Sequence, residues 1–294
     1  MTLISYPDWY ATGRGRRELE RAIAAGTMRR LRRGVVTDAD AAREPTDEHV
    51  LRARAAATYL GPGTAFSHYS AAVLHGLPLL APRLREVTVV RTLGGHGGIH
   101  PTIHARAARL GPDDTTEMDG LPVTSLARTV SDLIRLLPFQ EAVMLLDRAL
   151  ALGADQAELS ERTRAGRGCR MAARAIAFAD GDAESPGESL SRVRMLEAGL
   201  VMPVLQYSIR DAAGRFLGRG DFYWDHVRTL GEFDGRVKYN ELAPTAAELS
   251  QVVLAEKRRE QRILDTGIRV VRWTWPDLWD GTMVSRLRHV VGTA

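Results

Sequence analysis

The sequence predicts a protein of the α/β class, α+β overall, and three observations support this. The last third of the chain alternates between helical and extended patterns from residue 185 to residue 291. The middle region combines several helical patterns with two strand-like ones. The N-terminal residues combine an arginine-rich helix with a short strand. We therefore expect three segments, at residues 1–44, 45–180 and 184–294.

The N-terminal segment is typical of a short winged helix. Leu19 and Ile23 lie four residues apart, which favours a helix over 14–25, and Gly26 is a natural stop. Val35 and Val36 then favour a short strand or wing. Eight arginines against two glutamates fall in residues 14–36. They indicate either a DNA-binding helix and wing or a solvated helix face. The candidate wing arginines are Arg29, Arg30, Arg32 and Arg33.

The middle segment contains helical patterns around two strands. A capping-box pattern at Thr46 begins the first helix. The glycine-rich residues 94–98 predict a hairpin tip between the two strands. The predicted helices are 46–60, 67–78, one that begins near Thr124 within 121–137, 138–153, and 155–180 with a break around Gly166 and Gly168; the strands are 85–91 and 99–107. The histidines of this region show no HExxH pattern, so packing or hydrogen bonding is favoured over a metal site; they are His68, His75, His96, His100 and His104.

The last segment has the predicted element order α-β-β-β-α-β-α. Leu190, Val193 and Leu196 share one face of its first helix. Gly267 ends its second helix, and Pro276 fits the first turn of its last helix. The predicted helices are 185–200, 245–267 and 276–291, and the strands are 201–211, 215–224, 227–235 and 268–275.

Four carboxylates fall on neighbouring elements of this last segment. Glu188 lies on the first helix, Asp221 on the second strand, and Glu232 and Asp234 on the third strand. Alternation puts Glu232 and Asp234 on one face, where like charges repel unless a cation lies between them. Carboxylate oxygens suit Mg²⁺ or Mn²⁺, and such ions promote phosphodiester hydrolysis. The alternative is that the two aspartates are turn residues beside glycine and that Glu232 is a surface residue.

The composition is that of an ordinary globular protein. Hydrophobic residues make up 45% and charged residues 26%, and the net charge of +4 permits DNA as a partner without requiring it. No apolar run approaches the roughly 18 residues that span a bilayer. The first ten residues lack a signal-peptide pattern, and Cys169 is the one cysteine. We therefore expect a cytoplasmic protein with no membrane partner.

The motifs GDFYW, GEFDGRVKY and EKRREQRILDTGIRVVRWTWPDL, after the helix ESPGESLSRVRMLEAGL, resemble the nuclease-like domain of very-short-patch-repair-type proteins. These belong to the PD-(D/E)xK nucleases. The resemblance implies a restriction-endonuclease-like αβββαβ core that uses Mg²⁺ or Mn²⁺. It also implies that Asp221 and Glu232, with Asp234, are metal ligands. Glu188 would hold the ion or a metal-bound water.

The third motif departs from the family pattern at the position of the catalytic lysine. The residues at 232–234 read EFD, with an aspartate where the lysine is expected. Lys238 and Lys257 are the only lysines among 40 basic residues, and either could supply the amine from another backbone position. A lysine amine within about 5 Å of the acidic cluster would favour catalysis. On the long helix, contact with DNA phosphates or a solvated face is expected for Arg258, Arg259 and Arg262.

The stretches GTMRRLRRGVV, SHYSAAVLHGLP and LPVTSLARTVSDL resemble, more weakly, AbiEi-type antitoxin proteins over residues 14–180. About thirteen residues precede the arginine-rich helix, fewer than such proteins usually have. The resemblance implies a DNA-binding antitoxin or transcriptional regulator with a cognate toxin as partner. Two hypotheses therefore stand together: a Mg²⁺-dependent endonuclease-like protein of DNA defence or repair, and a regulator whose nuclease-like domain is inactive.

Overall fold

The chain divides into two compact units in a computed structural model, which describes residues 3–40, 44–79, 84, 86–92, 103–235 and 258–293. Unit 1 comprises Met1–Leu145 and Gly153–Ile176, and unit 2 comprises Leu146–Leu152 and Ala177–Ala294. Helices and strands are mixed in both units, so the predicted α/β class is confirmed. Among the described helices, none combines the length and the apolar character that a membrane crossing requires.

The N-terminal part of unit 1 is a three-stranded sheet with two helices. Leu19 is the buried residue of the second helix, and it packs with Trp9, Met28 and Val36. Gly26 has a φ of +71°, so the chain leaves the helix where the sequence predicts. The sheet order is β1-β3-β2, with antiparallel pairs. The elements are β1 (Leu3–Ser5), α1 (Tyr6–Ala11), α2 (Arg16–Ala24), β2 (Met28–Arg32) and β3 (Val35–Asp38).

A five-stranded sheet in the order β6-β5-β4-β8-β7 forms the rest of the core of unit 1. Phe66, Val89 and Val123 are fully buried on this sheet and pack with Ala53 of the helix before it. From residue 45 to residue 178 the elements are α3 (Pro45–Ala57), β4 (Thr64–Phe66), α4 (His68–Leu74), β5 (Val87–Arg91), β6 (Ile103–Ala107), β7 (Thr115–Met118), β8 (Leu121–Thr124), α5 (Leu126–Ile134), α6 (Phe139–Ala151), α7 (Gln156–Thr163) and α8 (Cys169–Phe178).

Two local predictions in this region are wrong. The strands β5 and β6 are parallel, with Val87 opposite Ile103, so they do not form a hairpin. Parallel neighbours need a crossover connection rather than a tight turn; the predicted hairpin tip at 94–98 lies outside the described residues. The capping box at Thr46 is also absent, because α3 begins one residue earlier with Pro45 in its first turn and Glu44 as a cap without a side-chain hydrogen bond.

Unit 2 follows the predicted order α-β-β-β-α-β, but two helices, Trp275–Trp279 and Thr282–Val291, stand where the sequence predicts a single helix over 276–291. Its sheet runs β12-β11-β10-β9, with β9, β10 and β11 antiparallel and β12 parallel to β11. That parallel step needs a crossover, to which the helical residues 258–264 (α10) belong. The elements are α9 (Pro186–Glu197), β9 (Val204–Arg210), β10 (Phe216–Trp224), β11 (Thr229–Asp234), α10, β12 (Arg269–Thr274), α11 (Trp275–Trp279) and α12 (Thr282–Val291).

Aromatic side chains attach the sheet of unit 2 to α9. The ring of Trp273 lies 5.2 Å from that of Phe222, and its Nε1 donates to Ser191 Oγ at 2.8 Å. Gly231 leaves room for these rings, since an added Cβ would lie 2.6 Å from Trp273. Trp273 is therefore a core residue, whereas Trp279 is 53% exposed.

Candidate functional site

Glu188 closes the first turn of α9 and is buried. The hydroxyl of Ser185 donates to its Oε1 at 2.7 Å, while its Oε2 accepts from the Glu184 backbone at 3.0 Å and from Gln206 Nε2 at 2.9 Å. Ser185 in turn accepts from the backbone nitrogen of Glu188, which makes a reciprocal helix cap. Burial raises the pKa of the Glu188 carboxyl, and the bond from Ser185 opposes that shift. Glu188 thus caps the helix, and its role at a metal ion stays a prediction.

Asp221 lies on β10 directly after Gly220 and is half-buried. Its Oδ2 accepts from the backbone nitrogen of Phe233 on the neighbouring strand at 2.8 Å. Its Oδ1 accepts no hydrogen bond from the part of the chain that the structure describes. Burial, together with the negative charges of Glu188 and Glu232, raises the pKa of Asp221 to about 7, although the hydrogen bond from Phe233 opposes this shift. The charges of Glu188 and Glu232 therefore act on Asp221, as expected if the three carboxylates share one site.

Glu232 on β11 is held between two arginines. Arg259 of α10 donates from Nη2 to Oε1 at 2.9 Å, and Arg272 of β12 donates from Nε to Oε2 at 2.7 Å. Gly218 makes space for Arg259, because an added Cβ would lie 3.0 Å from Nη1. Arg272 also contacts Glu260 at 2.6 Å. The cations next to Glu232 among the described residues are therefore guanidinium groups.

Asp234 ends β11 and lines an open cavity of about 580 Å³ together with Arg272, Trp275 and Arg286. The intervening Phe233 packs edge-on against Trp275, with ring centroids 5.2 Å apart. The resemblance to the PD-(D/E)xK nucleases predicts the catalytic lysine at the position of Asp234. Lys238 and Lys257 both lie outside the described residues, so the amine-to-carboxylate distance that separates the two hypotheses stays a prediction.

The chemistry of these side chains suits a hard divalent cation only in part. Asp221 fits as a ligand, because it is a half-buried carboxylate repelled by two others. Glu232 would have to exchange an arginine for the ion. Within the described ranges, no group of three or more His, Cys, Asp or Glu residues is arranged ready to hold a metal. The Mg²⁺ or Mn²⁺ site stays a prediction.

The arginines of α10 differ in their surroundings. Arg259 faces Glu232 and donates to the Arg219 carbonyl at 3.3 Å. Arg258 and Arg262 are exposed. Arg262 lines an open groove of about 830 Å³ with three further arginines, Arg210, Arg215 and Arg228. Two of the three predicted phosphate contacts are therefore accessible, and one forms an ion pair within the protein.

The four candidate wing arginines also fall into two groups, those bonded within the protein and those that are exposed. Arg29 donates to both oxygens of Glu48 and to the Ala39 carbonyl. Arg32 stacks on Tyr59 at 3.9 Å and donates to the Ala55 carbonyl at 3.3 Å. Both are thus engaged with α3 or the loop before it. Arg30 and Arg33 are exposed and accessible to a phosphate.

The histidines described in unit 1 make protein contacts. His75 Nε2 lies 2.8 Å from the Thr124 carbonyl, and His68 Nδ1 lies 3.0 Å from Ser67 Oγ. Burial lowers the pKa of His68 to about 4, although the charge of Asp132 opposes this. His96 and His100 lie outside the described residues. These contacts support hydrogen bonding, the role that the sequence favours.

Sequence reasoning did not identify Arg272, Arg219 or Gln206. Arg272 pairs with Glu232, Gln206 donates to Glu188, and Arg219 Nη2 contacts Glu184 at 2.7 Å. The register of β11 against β12, which places Glu232 opposite Arg272, could have revealed the first of these pairs. The local sequence alone does not give the other two contacts.

No protein-family profile matches the chain. Two curated relatives of Mycobacterium tuberculosis, the uncharacterized proteins MT2308 of strain CDC 1551 / Oshkosh and Rv2248 of strain H37Rv, are each 34% identical over 140 residues. Each match covers 46% of this chain and 48% of the relative, so the chain spans about half the length of the curated relatives it matches. The solved structure of the RV2827C protein of the same organism is 14% identical over 72% of this chain and 84% of that chain, with a TM-score of 0.41. That similarity is too distant to bear on fold or function.

Proposed function

We propose that unit 2 is a nuclease-like domain that hydrolyses phosphodiester bonds in DNA with Mg²⁺ or Mn²⁺, in cytoplasmic DNA defence or repair. The observation that carries this proposal is Asp221. It is a half-buried carboxylate with one oxygen unbonded among the described residues, and burial together with two neighbouring acids raises its pKa to about 7. Burying like charges together is unfavourable in the absence of a cation.

In this proposal the roles follow from position. Asp221 would hold the ion, and Glu232 would join it on exchanging an arginine, with Asp234 beside them. Glu188 would hold the ion or a metal-bound water. The ion would activate a water and offset charge on the scissile phosphate. The exposed Arg258 and Arg262 would bind neighbouring phosphates. Lys238 or Lys257 would position the attacking water.

The test is nicking of supercoiled plasmid by the full chain with Mg²⁺ or Mn²⁺. We expect Asp221→Ala to abolish nicking while the circular dichroism spectrum is kept. Asp182→Ala is the matched control, because Asp182 is an exposed acid of the same unit outside the cluster. Nicking by the Asp221→Ala variant at the wild-type rate would overturn the site.

A second function is favoured by the ion pairs of Glu232. An AbiEi-like antitoxin or transcriptional regulator, with DNA and a cognate toxin as partners, would carry an inactive nuclease-like domain. Arg259 and Arg272 already neutralise Glu232, and Asp234 stands where the lysine is expected. Calorimetric titration with Mg²⁺ separates the two functions. DNA binding with neither Mg²⁺ uptake nor cleavage supports the regulator, whereas uptake that Asp221→Ala removes supports the nuclease.

A further inference from the structure

Unit 1 contains a cavity of about 350 Å³ between β2 and α3 that the proposed nuclease site of unit 2 does not use. A volume of this size is in the range of pockets that take small ligands. Most of its polar lining is cationic and the remainder is largely apolar. The lining residues are Arg29, Arg30, Leu31, Arg32, Glu48, Arg52, Ala55, Ala56 and Val87.

Charge in the cavity is strongly positive. Four arginines face one carboxylate, Glu48, which accepts from Arg29 and from Arg52 Nε at 3.0 Å. Burial acts to raise the pKa of Glu48, but these two guanidinium groups outweigh it and lower the pKa. Glu48 is therefore ionised at neutral pH and offsets a single positive charge. The lining keeps a net excess of positive charge.

Arg32 brings an unsatisfied donor to this lining. Its Nη1 donates to the Ala55 carbonyl and its guanidinium stacks on Tyr59. Its Nε is buried and has no hydrogen-bond partner among the described residues. A buried N–H without an acceptor is unfavourable, so an oxyanion that reached Nε by a small shift of the side chain would satisfy it.

We propose that this cavity binds a small organic oxyanion, a phosphate monoester or carboxylate with a compact apolar body. The arginines would hold the anionic group, with Arg30 as the exposed member. Leu31, Ala56 and Val87 would contact the apolar body. The volume of about 350 Å³ limits the ligand to a small molecule, and the proposal does not depend on the activity of unit 2.

The experiment is calorimetric titration of the full chain with phenyl phosphate, and with benzyl alcohol as the uncharged counterpart. We expect saturable one-to-one binding of phenyl phosphate and no heat from the alcohol. Arg30→Gln should weaken binding about tenfold, as expected when one charge-assisted contact is lost. Arg33→Gln is the matched control, because Arg33 is also exposed but lies outside the cavity lining.

Three results would overturn the proposal. The first is the absence of saturable phenyl phosphate binding by the folded wild type. The second is equal weakening by Arg30→Gln and Arg33→Gln, which would indicate general surface electrostatics. The third is displacement of phenyl phosphate by a short DNA duplex, which would assign the cavity to a backbone phosphate of DNA. Tenfold weakening in Arg30→Gln alone, without displacement by DNA, supports the small-molecule site.

Discussion

Replacing Asp221 with asparagine should stabilise the metal-free protein at alkaline pH, although it removes a candidate metal ligand. Burial and the charges of Glu188 and Glu232 raise the pKa of Asp221 from 3.8 to about 7. The folded chain therefore binds this proton more tightly than the unfolded chain, and stability falls as pH rises from about 4 to about 7. By linkage, the free energy of unfolding of the wild type should fall between pH 5 and pH 8 by about 3 kcal/mol more than that of Asp221→Asn.

Urea unfolding in a chelating buffer at pH 5 and pH 8 measures this difference. Tryptophan fluorescence reports mainly on unit 2, which holds Trp224, Trp273, Trp275 and Trp279 of the five tryptophans. Asp182→Asn is the control and should follow the wild type, because Asp182 is exposed. If wild type and Asp221→Asn lose stability in parallel from pH 5 to pH 8, the proposed electrostatic cost at Asp221 is refuted.

Two further substitutions test the packing of unit 2 by urea unfolding. Arg192→Met should lower the free energy of unfolding by about 3–5 kcal/mol. Arg192 Nη1 donates to the fully buried Asp147 at 2.8 Å, and its loss leaves that charge unpaired. A loss below about 1 kcal/mol, the range of an exposed pair, would contradict this reasoning. Gly231→Ala should cost about 1–3 kcal/mol, because the added Cβ would lie 2.6 Å from Trp273. Gly235→Ala should be nearly neutral by comparison, since its Cβ would lie 3.6 Å from the nearest side chain.

The fold of unit 2 could be predicted because its local patterns agree with one another. Strand alternation, Pro276 in a first helical turn and the stop at Gly267 each favour the elements that the structure has. The sequence also placed Glu188, Asp221 and Glu232 on the elements that bring them within electrostatic range. The ends of the elements are predicted less accurately. For example, α9 ends at Glu197, whereas the sequence predicts a helix to residue 200.

Contacts between distant parts of the chain could not be predicted in the same way. The parallel pairing of β5 with β6 depends on a crossover, and no local residue pattern distinguishes it from a hairpin. The wing arginines show the same limitation. Arg29 meets Glu48 only because α3 packs against β2, so a count of arginines cannot separate a DNA contact from an internal ion pair.

The distribution of ion pairs identifies where a divalent cation would act, if unit 2 binds one. Arg219 pairs with Glu184, Arg259 with Glu232, and Arg272 with both Glu232 and Glu260. These three arginines thus offset the three acids that they contact. Of Glu188, Asp221 and Glu232, two then remain. The hydrogen-bond donors that the structure describes around these two carry no charge: the backbone nitrogen of Phe233 at one, and Ser185, Gln206 and the Glu184 backbone at the other.

These two carboxylates are Asp221 and Glu188, and together they carry about the charge that one Mg²⁺ neutralises. We therefore expect Asp221→Asn to weaken Mg²⁺ binding more than Glu232→Gln in calorimetric titration at pH 8, where Asp221 is ionised. The carboxylate of Glu232 must leave an arginine before it can reach an ion, whereas that of Asp221 has one oxygen without a donor among the described residues. Equal weakening by the two variants would instead show that Glu232 binds the ion directly, as the resemblance to the PD-(D/E)xK nucleases implies.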